Sequence, residues 1–154
     1  MAAEEYLSFI LENEEYAVPI LDVREVRGWS EVRSVPNSPN YLKGVLEIRG
    51  EYVPIVDLRM RFNLPPSVIN HTTVVIVLND EQKHPLGIIV DAVAEVYAFE
   101  PTAIKPAPHM SVTLDESYIK GIASEANGHL IIINLEALFD VDELNSTTVE
   151  DALM

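Results

Sequence analysis

Apolar residues fall along this chain in short blocks separated by turn-forming residues, without the three-to-four spacing of long amphipathic helices. Residues 74–78 (Val-Val-Ile-Val-Leu) and 130–133 (Leu-Ile-Ile-Ile) are uninterrupted apolar runs. They suit a strand buried on both faces and fall far short of the ~20 residues of a membrane-spanning helix. Other blocks pair naturally into hairpins. Residues 7–11 turn at Asn13-Glu14, and residues 73–78 turn at Asn79-Asp80. Gly44-Val45-Leu46-Glu47-Ile48 and Tyr52-Val53-Pro54-Ile55-Val56 flank a turn at Arg49-Gly50-Glu51, and Asn127-Gly128 is a two-residue hairpin signal because both positions tolerate positive φ. Pro54 cannot donate a ladder hydrogen bond, which predicts an edge or a kink there. Gly44 and Gly121 open their strands, where a missing Cβ permits a bend or a close backbone approach.

The pattern occurs twice. Residues 41–62 and 118–139 align without a gap at an offset of 77, with Tyr41/Tyr118, Lys43/Lys120, Gly44/Gly121, Ile55/Ile132, Leu58/Leu135 and Phe62/Phe139 identical. Upstream, Val23-Arg24-Glu25-Val26 is echoed by Val93-Ala94-Glu95-Val96 at an offset of 70. Two matches in the same order indicate duplication, and two copies imply a pair of packed units rather than a solenoid. Each copy ends in a short helical stretch, 57–62 and 134–139, with Asp57 and Asn134 as N-caps and an apolar i,i+4 pair on one face. Another helical turn is predicted over 20–25. Pro-rich loops at 35–39 and 104–108 occupy matching places before the repeat copies. Many short strands with turn signals between them predict barrels or a sandwich.

Charge and composition narrow the chemistry. The 154 residues carry 10 Lys/Arg against 25 Asp/Glu, a net charge of −15. That charge disfavours nucleic acid and anionic membrane surfaces, which argues against the rival reading of an oligonucleotide-binding barrel. All six arginines lie at or before Arg61, so the first half carries the candidate polar interface, since arginine makes forked, directional contacts. There is no cysteine, which removes disulfides, thiolate metal sites and a cysteine nucleophile. The acidic start has no secretory pattern, so the protein is expected in the cytoplasm.

Catalytic motifs are missing. The four histidines, at 71, 84, 109 and 129, have no metal-site spacing, and there is no nucleophile elbow or phosphate-binding glycine loop. Asp22 and Asp91 both precede the V-x-E-V echoes and form one conceivable acid–base pair among many carboxylates, although duplicated solvent-facing acids are the simpler reading. No cofactor, metal or catalytic residue is therefore expected. A small acidic hydrolase stands as a minor alternative.

The stretches Val23-Arg24-Glu25-Val26-Arg27-Gly28-Trp29, Tyr41-Leu42-Lys43-Gly44-Val45 and Ile48-Arg49-Gly50-Glu51-Tyr52-Val53-Pro54-Ile55-Val56-Asp57-Leu58-Arg59 resemble the CheW family of bacterial chemotaxis coupling proteins. Later elements follow in the family's order through Gly87-Ile88-Ile89-Val90-Asp91 and Tyr118-Ile119-Lys120-Gly121, so the likeness spans about residues 5–140. Two positions depart from it: Glu47 stands where the family usually has asparagine, and Trp29 where tyrosine is common.

The resemblance implies a mostly β fold of two five-stranded, SH3-like barrels around a shared hydrophobic core, with short helices. We expect one CheW-like domain over 1–154, with approximate halves 15–70 and 71–140, an N-terminal strand free to cross over, and an acidic tail at 141–154. It further implies an adaptor, recruited to membrane-associated receptor arrays, that joins chemoreceptor cytoplasmic tips to the regulatory domain of a CheA-type histidine kinase. The same scaffold role in a non-chemotactic pathway, such as surface motility, is the alternative. Val23, Glu25, Gly44 and Arg49 are the expected receptor-binding residues, with Glu25 and Arg49 able to pair across a groove. Trp29, Gly50 and Pro54 are the expected kinase-binding residues, chosen as an aromatic anchor, a turn and an exposed strand edge.

Overall fold

The computed structural model describes residues 3–106, 116–125 and 128–139. Its elements in chain order are β1 (Glu4–Leu11), β2 (Glu14–Pro19), β3 (Val23–Gly28), β4 (Leu42–Ile48), β5 (Glu51–Asp57), α1 (Leu58–Arg61), β6 (Val74–Asn79), β7 (Pro85–Val90), β8 (Ala92–Phe99), β9 (Ile104–Lys105), β10 (Ile119–Glu125), β11 (Gly128–Ile133) and α2 (Leu135–Leu138). Three-residue 3-10 turns occur at Ile20–Asp22, Pro101–Ala103 and Glu116–Tyr118. The turn expected over 20–25 is thus half as long, because Val23–Glu25 already belong to a strand.

The strands form two sheets, ordered β8-β1-β2-β11-β10-β9 and β3-β6-β7-β5-β4. This order corrects the division into contiguous halves 15–70 and 71–140. The hairpin β1–β2 from the first copy sits in the sheet of the second, and the hairpin β6–β7 from the second copy sits in the sheet of the first. The exchange is symmetric to the residue. In the first sheet β11 runs parallel to β2 with Ile132 opposite Ala17, and in the other β5 runs parallel to β7 with Ile55 opposite Gly87. These are the same pairs shifted by 77 and 70. More than a crossing N-terminal strand is involved: each half lends a whole hairpin to the other.

Each sheet curls until its edges meet. The chain leaves β8 at one edge, makes the turn Pro101–Ala103 and enters β9 on β10 at the opposite edge. In the other sheet the chain leaves β3 and reaches Arg33, which exchanges hydrogen bonds with Val45 of β4 (2.8 and 3.0 Å). The barrels are therefore SH3-like, with six strands in one sheet because its closing strand is broken in two, and five in the other.

Strand alternation sorts the apolar residues into three clusters. Val75 and Val77 point into one barrel with Ile48, Val53, Ile55 and Ile89. Their neighbours Ile76 and Leu78 point the other way, into a core between the barrels with Phe9, Leu11, Tyr16, Phe62 and Ile88. Likewise Leu130 and Ile132 fill the second barrel with Tyr6 and Ala17, while Ile133 joins the shared core. The uninterrupted apolar runs are strands buried on both faces.

Both expected residues stand at the N-cap positions, but only Asp57 caps with its side chain. Asp57 accepts from the Arg59 amide (3.1 Å) and also from the Ser67 amide and hydroxyl, whereas the Asn134 amide group donates to the Ser117 carbonyl. Pro54 requires a correction: its strand, β5, lies between β7 and β4 and is not an edge. The position tolerates proline because the carbonyl of its partner Val45 accepts from the Arg33 amide (3.0 Å), so no donor is asked of Pro54 from that side. The acidic tail at 141–154, His109 and Asn127 of the second hairpin lie outside the described residues.

One polar clamp ties the lent hairpin to α1. The Arg59 guanidinium bonds both carboxylate oxygens of Asp91 (Nε–Oδ1 2.9 Å), and Asp91 also accepts from the Glu12 amide at the β1–β2 turn. Burial pushes the Asp91 carboxyl up, but the hydrogen bonds from Arg59 and Glu12 and the guanidinium charge outweigh it and hold the pKa below the usual carboxylate value. A depressed folded pKa contributes stability above the unfolded value of about 3.9, lost as pH falls through the folded value. Asp91→Asn is expected to lose about 1–3 kcal/mol at neutral pH. In urea melts, that deficit should begin to shrink as pH falls below about 3.9 and disappear once pH passes below the lower folded value; a deficit independent of pH would refute this role.

Candidate interaction surface

The residues singled out from the sequence divide between a surface patch and the interior. Glu25 lies on β3 and Arg49 at the β4–β5 turn, strands at opposite edges of one sheet, and curling brings them together with Nε–Oε1 at 3.3 Å. Arg27 also reaches Glu25 (3.5 Å), and Arg24 reaches Glu51 across the same seam (3.2 Å). Five charges thus line the closure of this barrel. Arg49 is 78% exposed in its side chain, so its guanidinium can bond an incoming group without leaving Glu25. An ion pair this exposed contributes about 0–1 kcal/mol to folding.

The turn geometry presents Arg49 to solvent. Arg49 and Gly50 both have positive φ (52° and 83°), as a two-residue hairpin turn matching strand twist requires. Val23 starts β3, half-buried, and a bulge separates it from Glu25 in the ladder. Gly44, by contrast, is buried. A Cβ there would lie 2.0 Å from the Arg33 carbonyl oxygen, so glycine is what allows the closing strand to approach β4. Glu25 and Arg49 meet directly and Val23 shares β3 with Glu25, whereas Gly44 is buried on β4 against the Arg33 backbone.

Of the other group, Gly50 is at the exposed turn tip, and Trp29 is half-buried against the barrel cluster of Ile48, Val53 and Ile55 with Val32 and Leu46 beside it. Pro54 is half-buried in its interior strand, so an edge-strand role for it does not hold.

Exposed valines were missed from sequence. Val26 is 44% and Val96 50% exposed, and Val93 is exposed as well. They occupy the two V-x-E-V echoes on β3 and β8, strands with no fully buried residue. The echo carried no signal of this, because an apolar residue in a strand reads the same whether its face is covered or open.

Asp22 and Asp91, the acid pair considered from sequence, do not come together. Asp91 is committed to Arg59 and the Glu12 amide, while Asp22 lies at a separate cleft, where burial pushes its carboxyl up and nearby Lys120 pulls it partly back. His84 closes the β6–β7 turn on Asp80 (3.0 Å). Among the described residues, no group of three or more His, Asp or Glu is placed to hold a metal.

Comparison with known proteins follows the same outline. The CheW-like domain model matches residues 5–143. The chain is 40% identical over 141 residues to the chemotaxis protein CheW of Klebsiella aerogenes, covering 92% of this chain and 84% of that one. It is 34% identical over 139 residues to the probable chemotaxis protein CheW of Rhizobium etli, covering 90% and 89%. Among solved structures it is similar to the scaffolding protein TtCheW from Thermoanaerobacter tengcongensis, with a TM-score of 0.82, 30% identity and coverage of 94% and 92%.

Proposed function

Because the chain belongs to the CheW-like domain family, we propose that it is a chemotaxis adaptor that couples chemoreceptors to a CheA-type histidine kinase by binding both and catalysing nothing itself. The observation that carries this reading is the patch at the barrel seam: a forked, exposed Arg49 held by Glu25, with half-buried Val23 on the same strand as Glu25. An amphipathic receptor helix needs an apolar strip to lie on and a polar group to fix its register, and such a patch offers both. Val23, Glu25 and Arg49 make the receptor contact in this reading, with Gly44 allowing the closing strand to approach β4.

The kinase contact is assigned to the Gly50 turn tip and the exposed side of Trp29, an aromatic anchor of the kind that concentrates binding energy. Pro54 acts there only by shaping the strand that carries the turn. Among the described residues no helix is long and apolar enough to cross a membrane, and attachment to a receptor array rests on these protein contacts. The hairpin exchange supports a scaffold role, since two barrels that share strands cannot drift apart when pulled by two partners.

Co-sedimentation of a receptor cytoplasmic fragment and the kinase tests the reading. Both partners should enter one complex when this chain is added and remain apart when it is left out. Equal pelleting of kinase and receptor in its absence would remove the adaptor role.

A further inference from the structure

The duplicated halves differ at one place where their symmetry predicts the same thing. In the first copy the gap between α1 and the β1–β2 turn is bridged by Arg59 and Asp91, and the segment that follows α1 folds back so that Ser67 bonds Asp57. The corresponding gap in the second copy lies between α2 and the β6–β7 turn. There the repeat offsets replace Arg59 with Glu136 and Asp91 with Leu21. No clamp can form. The result is an open cleft of about 650 Å³ with Ile133 and Phe139 on its apolar side and Asp22, Asp80, Glu81 and Glu136 around it.

Two features of the cleft call for an occupant. Leu21 is 95% exposed at its margin, in the 3-10 turn that runs between the lining residues Pro19 and Asp22. An aliphatic side chain this exposed, next to an apolar concavity, gains only when something covers it. The charge is one-sided as well, since Lys120 is the only cation among the described lining residues and it already faces Asp22. The chain's own residues 140–154 follow α2 but contain five acids and no lysine or arginine, so they do not supply the missing charge.

We propose that this cleft docks a segment of a partner protein that carries arginine or lysine flanked by aliphatic side chains. The incoming cation does for Glu136 what Arg59 does for Asp91 in the other half, and the flanking side chains cover Leu21 and Phe139. None of the residues assigned to the receptor and kinase contacts lines it, and it adjoins the receptor contact only where Val23 follows Asp22.

The test uses the full chain, labelled with 15N, at about 0.15 M salt so that long-range attraction to the acidic surface is screened. The probe is a capped ten-residue peptide with two arginines flanked by leucines on a glycine–serine background, compared with the same peptide bearing glutamines for arginines. Amide shifts should concentrate at Leu21, Lys120 and Glu136 with the arginine peptide, and binding should weaken at least about tenfold with the glutamine peptide. Glu136→Arg should weaken it as much, and Leu21→Asp with Glu136→Arg, which rebuilds the clamp of the other half, should abolish it. Both residues are exposed, so the fold is retained. Absent binding, shifts scattered over the acidic surface, or an affinity unchanged by Glu136→Arg would each overturn the proposal.

Discussion

Gly44→Ala is expected to cost about 3 kcal/mol of folding stability, which for a chain of this size lowers the melting temperature by about 6–12 °C. The reason is backbone against backbone. An added Cβ would meet the Arg33 carbonyl oxygen at 2.0 Å and its carbon at 2.6 Å, and neither atom belongs to a side chain that can rotate away. Gly44 also has φ of +152°, a conformation that L side chains rarely adopt. Relief requires Arg33 to withdraw, and Arg33 is the residue that closes the barrel through its two hydrogen bonds to Val45. Gly50→Ala is the control. It too has positive φ, but a Cβ there meets nothing within 4 Å, so only the conformational cost of about 1 kcal/mol remains. Equal melting temperatures for the two variants would show that strand approach at Arg33 does not limit stability. Because Gly44 is buried, any loss of receptor binding in its variants is read only after their folding has been measured.

Arg49→Ala is expected to weaken receptor binding by about 1–3 kcal/mol, roughly 5- to 150-fold, while moving the melting temperature by less than about 4 °C. The asymmetry follows from exposure. In the free protein the guanidinium is mostly solvated and its pair with Glu25 adds little. Beneath a bound helix the same group loses water and its forked hydrogen bonds become directional anchors. Glu25→Ala should give a similar loss, and the double variant should lose less than the sum of the two, because residues in one ion pair act as a unit. Titration of a receptor fragment against folded single and double variants measures this. Unaltered affinity in Arg49→Ala would remove the residue from the interface, and strict additivity would remove the pairing.

Much of this was legible residue by residue. Asp57 and Asn134 marked the starts of the two short helices as N-cap residue types; Asp57 takes the Arg59 amide, whereas Asn134 occupies the position without a capping bond. Arg49-Gly50-Glu51 marked a turn between two apolar strands, and the structure narrows it to Arg49 and Gly50, both at positive φ. The pairing of Glu25 with Arg49 was foreseen through the family likeness, and the geometry supplied its cause, the curling of one sheet until β3 meets the β4–β5 turn. Less could be read where a side chain's role depends on a distant neighbour. Pro54 read as an edge residue because proline lacks an amide hydrogen, but Arg33 had already taken the bond of its partner Val45. The exposed valines of β3 and β8 read as ordinary strand residues because alternation alone does not say whether a face is covered.

The amino-acid order by itself determined the duplication, the strands and turns, and which runs would be buried on both sides, since these depend on periodicity, turn chemistry and caps within a few residues. Tertiary structure alone decided which sheet each strand would join. A hairpin such as β1–β2 has two apolar faces and two open edges, and nothing local distinguishes the β11 edge from the β5 edge. That choice is made by packing the whole chain at once. It exchanged the hairpins, built the shared core around Phe9, Phe62 and Ile76, and left one of two equivalent gaps clamped and the other open.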